Sequence, residues 1–209
     1  MKRSGFTLIE MIIVLALTVI ILVLVNYIFA TGSRIFSESD AKSTLQIEAQ
    51  TIEQDISKLG MESVGIESIK DELGNDEVKI VDAKYEELKS QLTDINGNDS
   101  DSENKWLSIS ELTIDCYEEN NNIIAVSTTP TTIIKYDKNQ KRLYTIDGKE
   151  LLGNVESVRI KPIDIENPDG TFKDTNSIII SIMLSKKTVY REYKYPVSIT
   201  FKFRNNFMK

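Results

Sequence analysis

Hydrophobic and polar positions divide the chain into three regimes. From Met11 to Val25 the residues are almost all apolar, too uniform to show a face. From Ala41 the apolar residues thin out to one stripe, Ala41, Leu45, Ala49, Ile52, Ile56 and Leu59. Those spacings of three and four mark one side of an amphipathic helix. Glu38, Asp40, Lys42, Glu48, Gln50, Glu53, Asp55 and Lys58 supply its polar sides, and Gly60 is a C-terminal stop. The two regimes predict one helix over Phe6–Leu59, about 80 Å long at helical rise. Gly32 and Ser33 are the expected place for a bend or local melting.

The third regime begins near Trp106, where the period changes to two. Leu107 and Ile109 alternate with polar residues, the phase slips at Ser110-Glu111, and Leu112, Ile114 and Cys116 resume it. A β-bulge would account for the slip. Further strands are predicted at Ile123–Ser127, Thr132–Tyr136, Arg142–Ile146 and Ser157–Ile163. Turns fall at Asn120-Asn-Asn, Asp137–Lys141, Asp147-Gly148 and Asn167–Gly170. Leu151–Val155 leads into the strand that follows. Ile178, Ile180, Ile182 and Leu184 alternate with Ile179 and Met183 on the other face, as in a strand covered on both sides. Val197, Ile199, Phe201 and Phe203 form the clearest alternation. One helix followed by a run of strands predicts an α+β fold with a mainly antiparallel sheet.

Between these regimes, residues 61–105 have no clear period. Glu67–Lys70 and Tyr85–Leu92 read as short charged helices and Val78–Val81 as a brief strand. The polar run 94–104 reads as a solvated loop. Asp94, Asn96, Asn98, Asp99, Asp101 and Glu103 invite a structural-calcium alternative. An EF-hand loop needs glycine where Asp99 stands and a bidentate glutamate where Lys105 stands. The chain supplies neither, so no metal or other cofactor is expected.

Charge changes the reading of the first regime. As a helix, Phe6–Ala30 measures about 37 Å, enough to cross a hydrocarbon core of about 30 Å. Lys2 and Arg3 precede it and favour a cytoplasmic N-terminus. A small residue, Gly5, stands before the run, where a secretory signal would place its cleavage site after it. Glu10 lies inside the start of the run, and a carboxylate at such a position is a functional candidate.

Gly5-Phe6-Thr7-Leu8-Ile9-Glu10 resembles the cleavage motif of type IV prepilins and type II secretion pseudopilins. The resemblance implies a type IV pilin-like fold and cleavage after Gly5 by a prepilin peptidase. It also implies methylation of the new N-terminal Phe6 and a charge pair between Glu10 and the Phe6 amine of a neighbouring subunit. Residues 1–5 would be the leader, 6–32 the transmembrane and filament-core helix, 33–60 the docked amphipathic helix and 61–209 the extracellular head. Leu8, Ile9, Ile12, Ile13, Leu15, Val19 and Leu22 would pack in the filament core. The order Tyr136-Asp137…Arg142-Leu143-Tyr144, Leu151-Leu152…Val155–Val158 and Val197–Asn205 resembles PilW-type minor pilins and J-type pseudopilins. The stretch Ile47–Gly60 resembles the end of their helix.

Composition narrows the chemistry. The 209 residues carry a formal net charge of −7, or −9 once a leader holding Lys2 and Arg3 is removed. An acidic head is a poor partner for nucleic acid, and none is expected. The absence of histidine excludes Ser-His-Asp and Cys-His catalysis and His-ligated zinc. Cys116 is the only cysteine, so no intrachain disulfide forms, a departure from many pilins of double-membrane bacteria. On the apolar phase Cys116 reads as a buried small hydrophobe.

The expected function is a minor pilin. It would sit in the cytoplasmic membrane before assembly and in an extracellular filament or its tip afterwards. Its partners would be the prepilin peptidase, other minor pilins and the major pilin. The alternative within this class is a pseudopilin of a secretion or competence system. Two other classes stay open. Glu118/Glu119 or Asp164/Glu166 could serve as a carboxylate dyad in a membrane-anchored enzyme. Lys186, Lys187, Arg191 and Lys194, interleaved with Tyr190, Tyr193 and Tyr195, could form an adhesive or DNA-contacting patch.

Overall fold

The computed structural model describes residues 7–61, 63–71, 106–120, 123–126, 131–145, 148, 150–163, 171–172 and 175–203. Helix α1 (Leu8–Met61) runs through both helical regimes as one 54-residue element. The helix is unbroken at Gly32 and Ser33, so the melting expected there does not occur. No proline interrupts the segment, and the glycine penalty of about 1 kcal/mol is small against the cooperativity of the turns on both sides. The stripe is used as its spacing predicts. Ala41, Leu45, Ala49, Ile52 and Ile56 are buried, and Leu59 packs partly against the same core.

Nine strands follow: β1 (Ser63–Asp71), β2 (Leu107–Asn120), β3 (Ile123–Val126), β4 (Thr131–Asp137), β5 (Arg142–Tyr144), β6 (Glu150–Leu152), β7 (Val155–Pro162), β8 (Ser177–Lys187) and β9 (Glu192–Lys202). The main path is β6-β5-β4-β2-β7-β8-β9, and β1 and β3 also pair with β2. Every pairing is antiparallel. Strand β2 joins the halves, meeting β7 through Leu107 and Ser108 and β4 through Glu111 to Ile114. Helix α1 contacts β9 and β8 at one end of that path and β6 at the other. The sheet therefore curls round the helix stripe. A long N-terminal apolar helix followed by a curled antiparallel sheet is the α+β architecture of a type IV pilin-like fold.

The bulge expected in β2 is present. Lys70 lies opposite Glu111 and Asp71 opposite Ile109, which leaves Ser110 as the extra residue. The Ser110 hydroxyl donates to the Asp71 carbonyl at 2.6 Å. The extra residue lets Ile109 and Leu112, three apart, both be buried.

The same device corrects the reading of Glu67–Lys70 as a helix. Those residues belong to β1, whose register against β2 shifts between Ser63 and Gly65, between Ile66 and Ser68, and between Lys70 and Asp71. Ser63, Ile66 and Ile69 are all buried at a spacing of three. A bulged strand thus imitates a helical period.

Other strands keep the predicted phase. Ile178, Ile180, Ile182 and Leu184 are fully buried, while Ile179 and Met183 are half-buried, so the second face of β8 is covered in part. Val197, Ile199 and Phe203 are buried. The side chains of Phe201 and Cys116 lie outside the described residues. So do the predicted strand Val78–Val81, the helix Tyr85–Leu92 and the turn Asn167–Gly170.

One short feature was read only as a connection. Glu150–Leu152 forms β6, joined to β7 by Gly153 and Asn154, with Asn154 left-handed at φ 59°. Lys141, in the turn between β4 and β5, is left-handed at φ 54°, and its carbonyl accepts from Val155 N at 2.9 Å. At the predicted Asp147-Gly148 turn, Gly148 has φ +72° and its amide donates to the Thr145 carbonyl at 3.0 Å.

Candidate functional site

Thr7 precedes the first turn of α1 and closes it with Glu10. The Thr7 amide and hydroxyl both donate to Glu10 Oε2, at 2.9 and 3.0 Å, and the Glu10 amide donates back to Thr7 Oγ1 at 3.3 Å. This is a capping box, with threonine at the N-cap and glutamate three residues on. Two orphan amides are satisfied, and the carboxylate sits at the positive end of the helix dipole. The signal was legible as Thr-x-x-Glu before an apolar run. Thr7 therefore joins Glu10 in the candidate site. Gly5 and Phe6, the expected cleavage, methylation and charge-pair positions, lie outside the described residues.

From Leu8 to Phe36 every residue of the helix is exposed. Leu8, Ile9, Ile12, Ile13, Leu15, Val19 and Leu22 are all exposed, with Met11, Leu24 and Phe29 among others. This stretch is the one segment among the described residues long and apolar enough to cross a membrane. Thr18 and Asn26 donate their side chains to the carbonyls of Val14 and Leu22 at 2.8 Å each. Each thereby places one polar donor on the helix backbone, which lowers its cost in hydrocarbon.

The basic and aromatic residues near the β8–β9 turn do not form a free patch. They fasten the sheet to α1. Lys186 Nζ donates to Thr44 Oγ1 at 2.9 Å and lies 3.6 Å from Asp40. Arg191 reaches Glu38 at 3.5 Å and stacks 4.5 Å from the centre of the buried Tyr193 ring. Lys42 approaches the same ring at 5.8 Å, and Lys194 pairs with Glu156 at 2.6 Å. The Arg34 hydrogen bond holds the Glu38 carboxyl below its usual range, with the Arg191 charge adding to it. Three of the four cations proposed as a DNA or adhesive patch are thus committed within the chain. Sequence cannot show this, because the acidic partners of Lys186 and Arg191 lie about 150 positions away on α1.

Above this clamp lies a polar cleft of about 590 Å³, whose lining includes Glu48, Lys141, Arg142, Glu150 and Glu192. Arg142 and Glu150 pair at 2.8 Å, and the Ser185 hydroxyl donates to Glu192. Glu48 Oε2 is sealed from solvent with no hydrogen-bond partner. Burial pushes the Glu48 pKa up against the opposing Asn154 hydrogen bond. Among the described residues no group of acidic or sulfur side chains could hold a metal ion. The calcium candidate Asp94, Asn96, Asn98, Asp99 and Asp101 lies outside them, as do Asp164, Glu166 and the side chains of Glu118 and Glu119.

One long apolar helix, capped by a threonine and a glutamate, carries a curled antiparallel head, an arrangement consistent with a type IV pilin-like fold. Residues 1–26 match the prokaryotic N-terminal methylation motif. That match supports a type IV pilin-like prepilin, a substrate of prepilin peptidase anchored in a membrane by its N-terminal helix. No curated protein and no solved structure matches the chain.

Proposed function

We propose that the chain is a minor pilin, a structural rather than catalytic subunit that helps initiate or cap a type IV pilus. The observation that carries the reading is the continuity of α1. Its upper half is clamped to the head, while its lower half carries the methylation motif and leaves every apolar side chain exposed. Such a surface needs lipid before assembly and neighbouring helices after it. Cleavage after Gly5 exposes the Phe6 amine, and Glu10 of the adjoining subunit meets it. A buried pair of this kind sets axial register more than it adds net stability.

The polar head then contacts other minor pilins and the major pilin. The N-terminus faces the cytoplasm before assembly, and the subunit moves to the extracellular filament or its tip afterwards. The test is co-expression with an active prepilin peptidase, followed by intact mass and N-terminal sequencing. Loss of five residues and gain of a methyl group on Phe6, both abolished by Gly5→Leu, are expected. A product that retains Met1 beside an active peptidase overturns the reading. Cross-linking of the processed chain to minor pilins in sheared filaments tests the assembly role.

A further inference from the structure

The β8–β9 hairpin descends along α1 toward its apolar end. Ser185 and Glu48 line one cleft, Lys186 meets Thr44 and Asp40, and Arg191 meets Glu38. The hairpin tip therefore lies at or below the level of Glu38. Its turn is built by Thr188, whose hydroxyl donates to the Arg191 carbonyl at 2.8 Å and accepts from the Tyr190 and Arg191 amides. A turn so tied presents Val189 outward at 95% exposure, with Tyr190 half exposed beside it.

Glu38 stands eight residues above Ala30, where the apolar run ends, a rise of about 12 Å. Tyr27 and Phe29, both exposed, sit at that end as an interfacial aromatic pair would. Headgroups occupy about 5–8 Å beyond each side of the hydrocarbon core. A hairpin tip at or below the Glu38 level stands within about one side-chain length of that layer. Arg34 and the exposed Ile35 lie one helical turn below Glu38, on the same side of α1 as the hairpin. Arg34 and Arg191 share the single carboxylate of Glu38, which leaves that trio with a surplus positive charge. That local surplus stands against a chain that is acidic overall, whereas Lys187 faces the polar cleft beside Glu192.

We propose that Val189 and Tyr190, flanked by Arg34 and Arg191, form a foot that rests the head on the anionic phospholipid surface of the membrane entered by its own helix. The foot rests on the membrane-anchored reading given above. Aromatic and aliphatic groups enter the interface while the cations meet lipid phosphates. The second contact fixes the rotation of α1 about its axis, and extraction into a filament must break it.

The test uses the full chain in a Cys116→Ser background, reconstituted into vesicles of phosphatidylcholine with or without phosphatidylglycerol. Single cysteines carrying an environment-sensitive fluorophore are placed by Val189→Cys, Leu24→Cys or Asn176→Cys. Asn176 is exposed and adjoins the far end of β8, about 33 Å from the tip. Lipid spin labels near the headgroup should quench the Val189 probe and spare the Asn176 probe, with stronger quenching in anionic vesicles. Arg34→Ala should lower the docked-to-undocked ratio about five-fold in anionic vesicles alone. If Leu24 is quenched by deep acyl-chain labels but Val189 no more than Asn176, the foot is overturned and the membrane span stands. If neither Leu24 nor Val189 is quenched, the span fails and the foot fails with it. Equal quenching of Val189 in both lipids also overturns the proposal, because the cations then take no part.

Discussion

Lys186 on β8 donates a 2.9 Å hydrogen bond to the Thr44 hydroxyl on α1, joining residues 142 positions apart in sequence. The lysine side chain keeps 29% of its exposure, so solvent screens its ion pair with Asp40. Lys186→Ala should therefore lower stability by only about 1 kcal/mol. A double-mutant cycle with Thr44→Val, read by chemical denaturation of the detergent-solubilised chain, should show positive coupling. Additivity would mean that the bond contributes nothing to docking.

The helix stripe should dominate that docking. Ile52 is fully buried and Ile47 is 62% exposed on the same helix. Ile52→Ala should cost about 2–5 kcal/mol through lost burial and a cavity. Ile47→Ala should stay within about 0.5 kcal/mol. Equal effects would contradict the face assigned to α1.

Glu48 gives a pH dependence of definite sign. Its folded-state pKa is raised above 4.5, chiefly by burial. The folded chain therefore holds this proton more tightly than the unfolded chain, and stability falls as pH rises from about 4.5 through the raised pKa. Glu48→Gln should remove that component of the decline and make the head more stable at neutral pH. Below the unfolded pKa the two chains should converge. Thermal melts across that range decide it, and a variant less stable at neutral pH would show that the charged form is wanted.

Glu10→Gln should leave peptidase processing intact, because the amide oxygen still accepts from Thr7. It should also remove the charge proposed to meet a neighbour's amine. Incorporation into sheared filaments should then fall at least about ten-fold, since breaking one side of a buried ion pair costs about 3–5 kcal/mol. Normal incorporation would leave Glu10 with the capping role alone.

Local spacing was enough for everything that repeats within one element. The apolar run, the stripe from Ala41 to Leu59 and the alternation in β8 and β9 each state which side is buried. The prepilin-like motif and the Thr-x-x-Glu cap are contiguous, so both are legible without a fold. The bulge at Ser110 was legible too, because an extra residue shifts the phase of one strand.

Tertiary structure decided whatever depends on a partner far along the chain. Ser63, Ile66 and Ile69 recur every third residue, yet they are strand, because pairing with β2 bulges the ladder and satisfies the backbone there. Glu150–Leu152 is too short to show a period and becomes a strand only beside β5. The four cations near the β8–β9 turn looked like a surface for an outside ligand. Docking on α1 brings Glu38, Asp40 and Thr44 under Lys186 and Arg191, so both have partners within the chain before any outside ligand arrives.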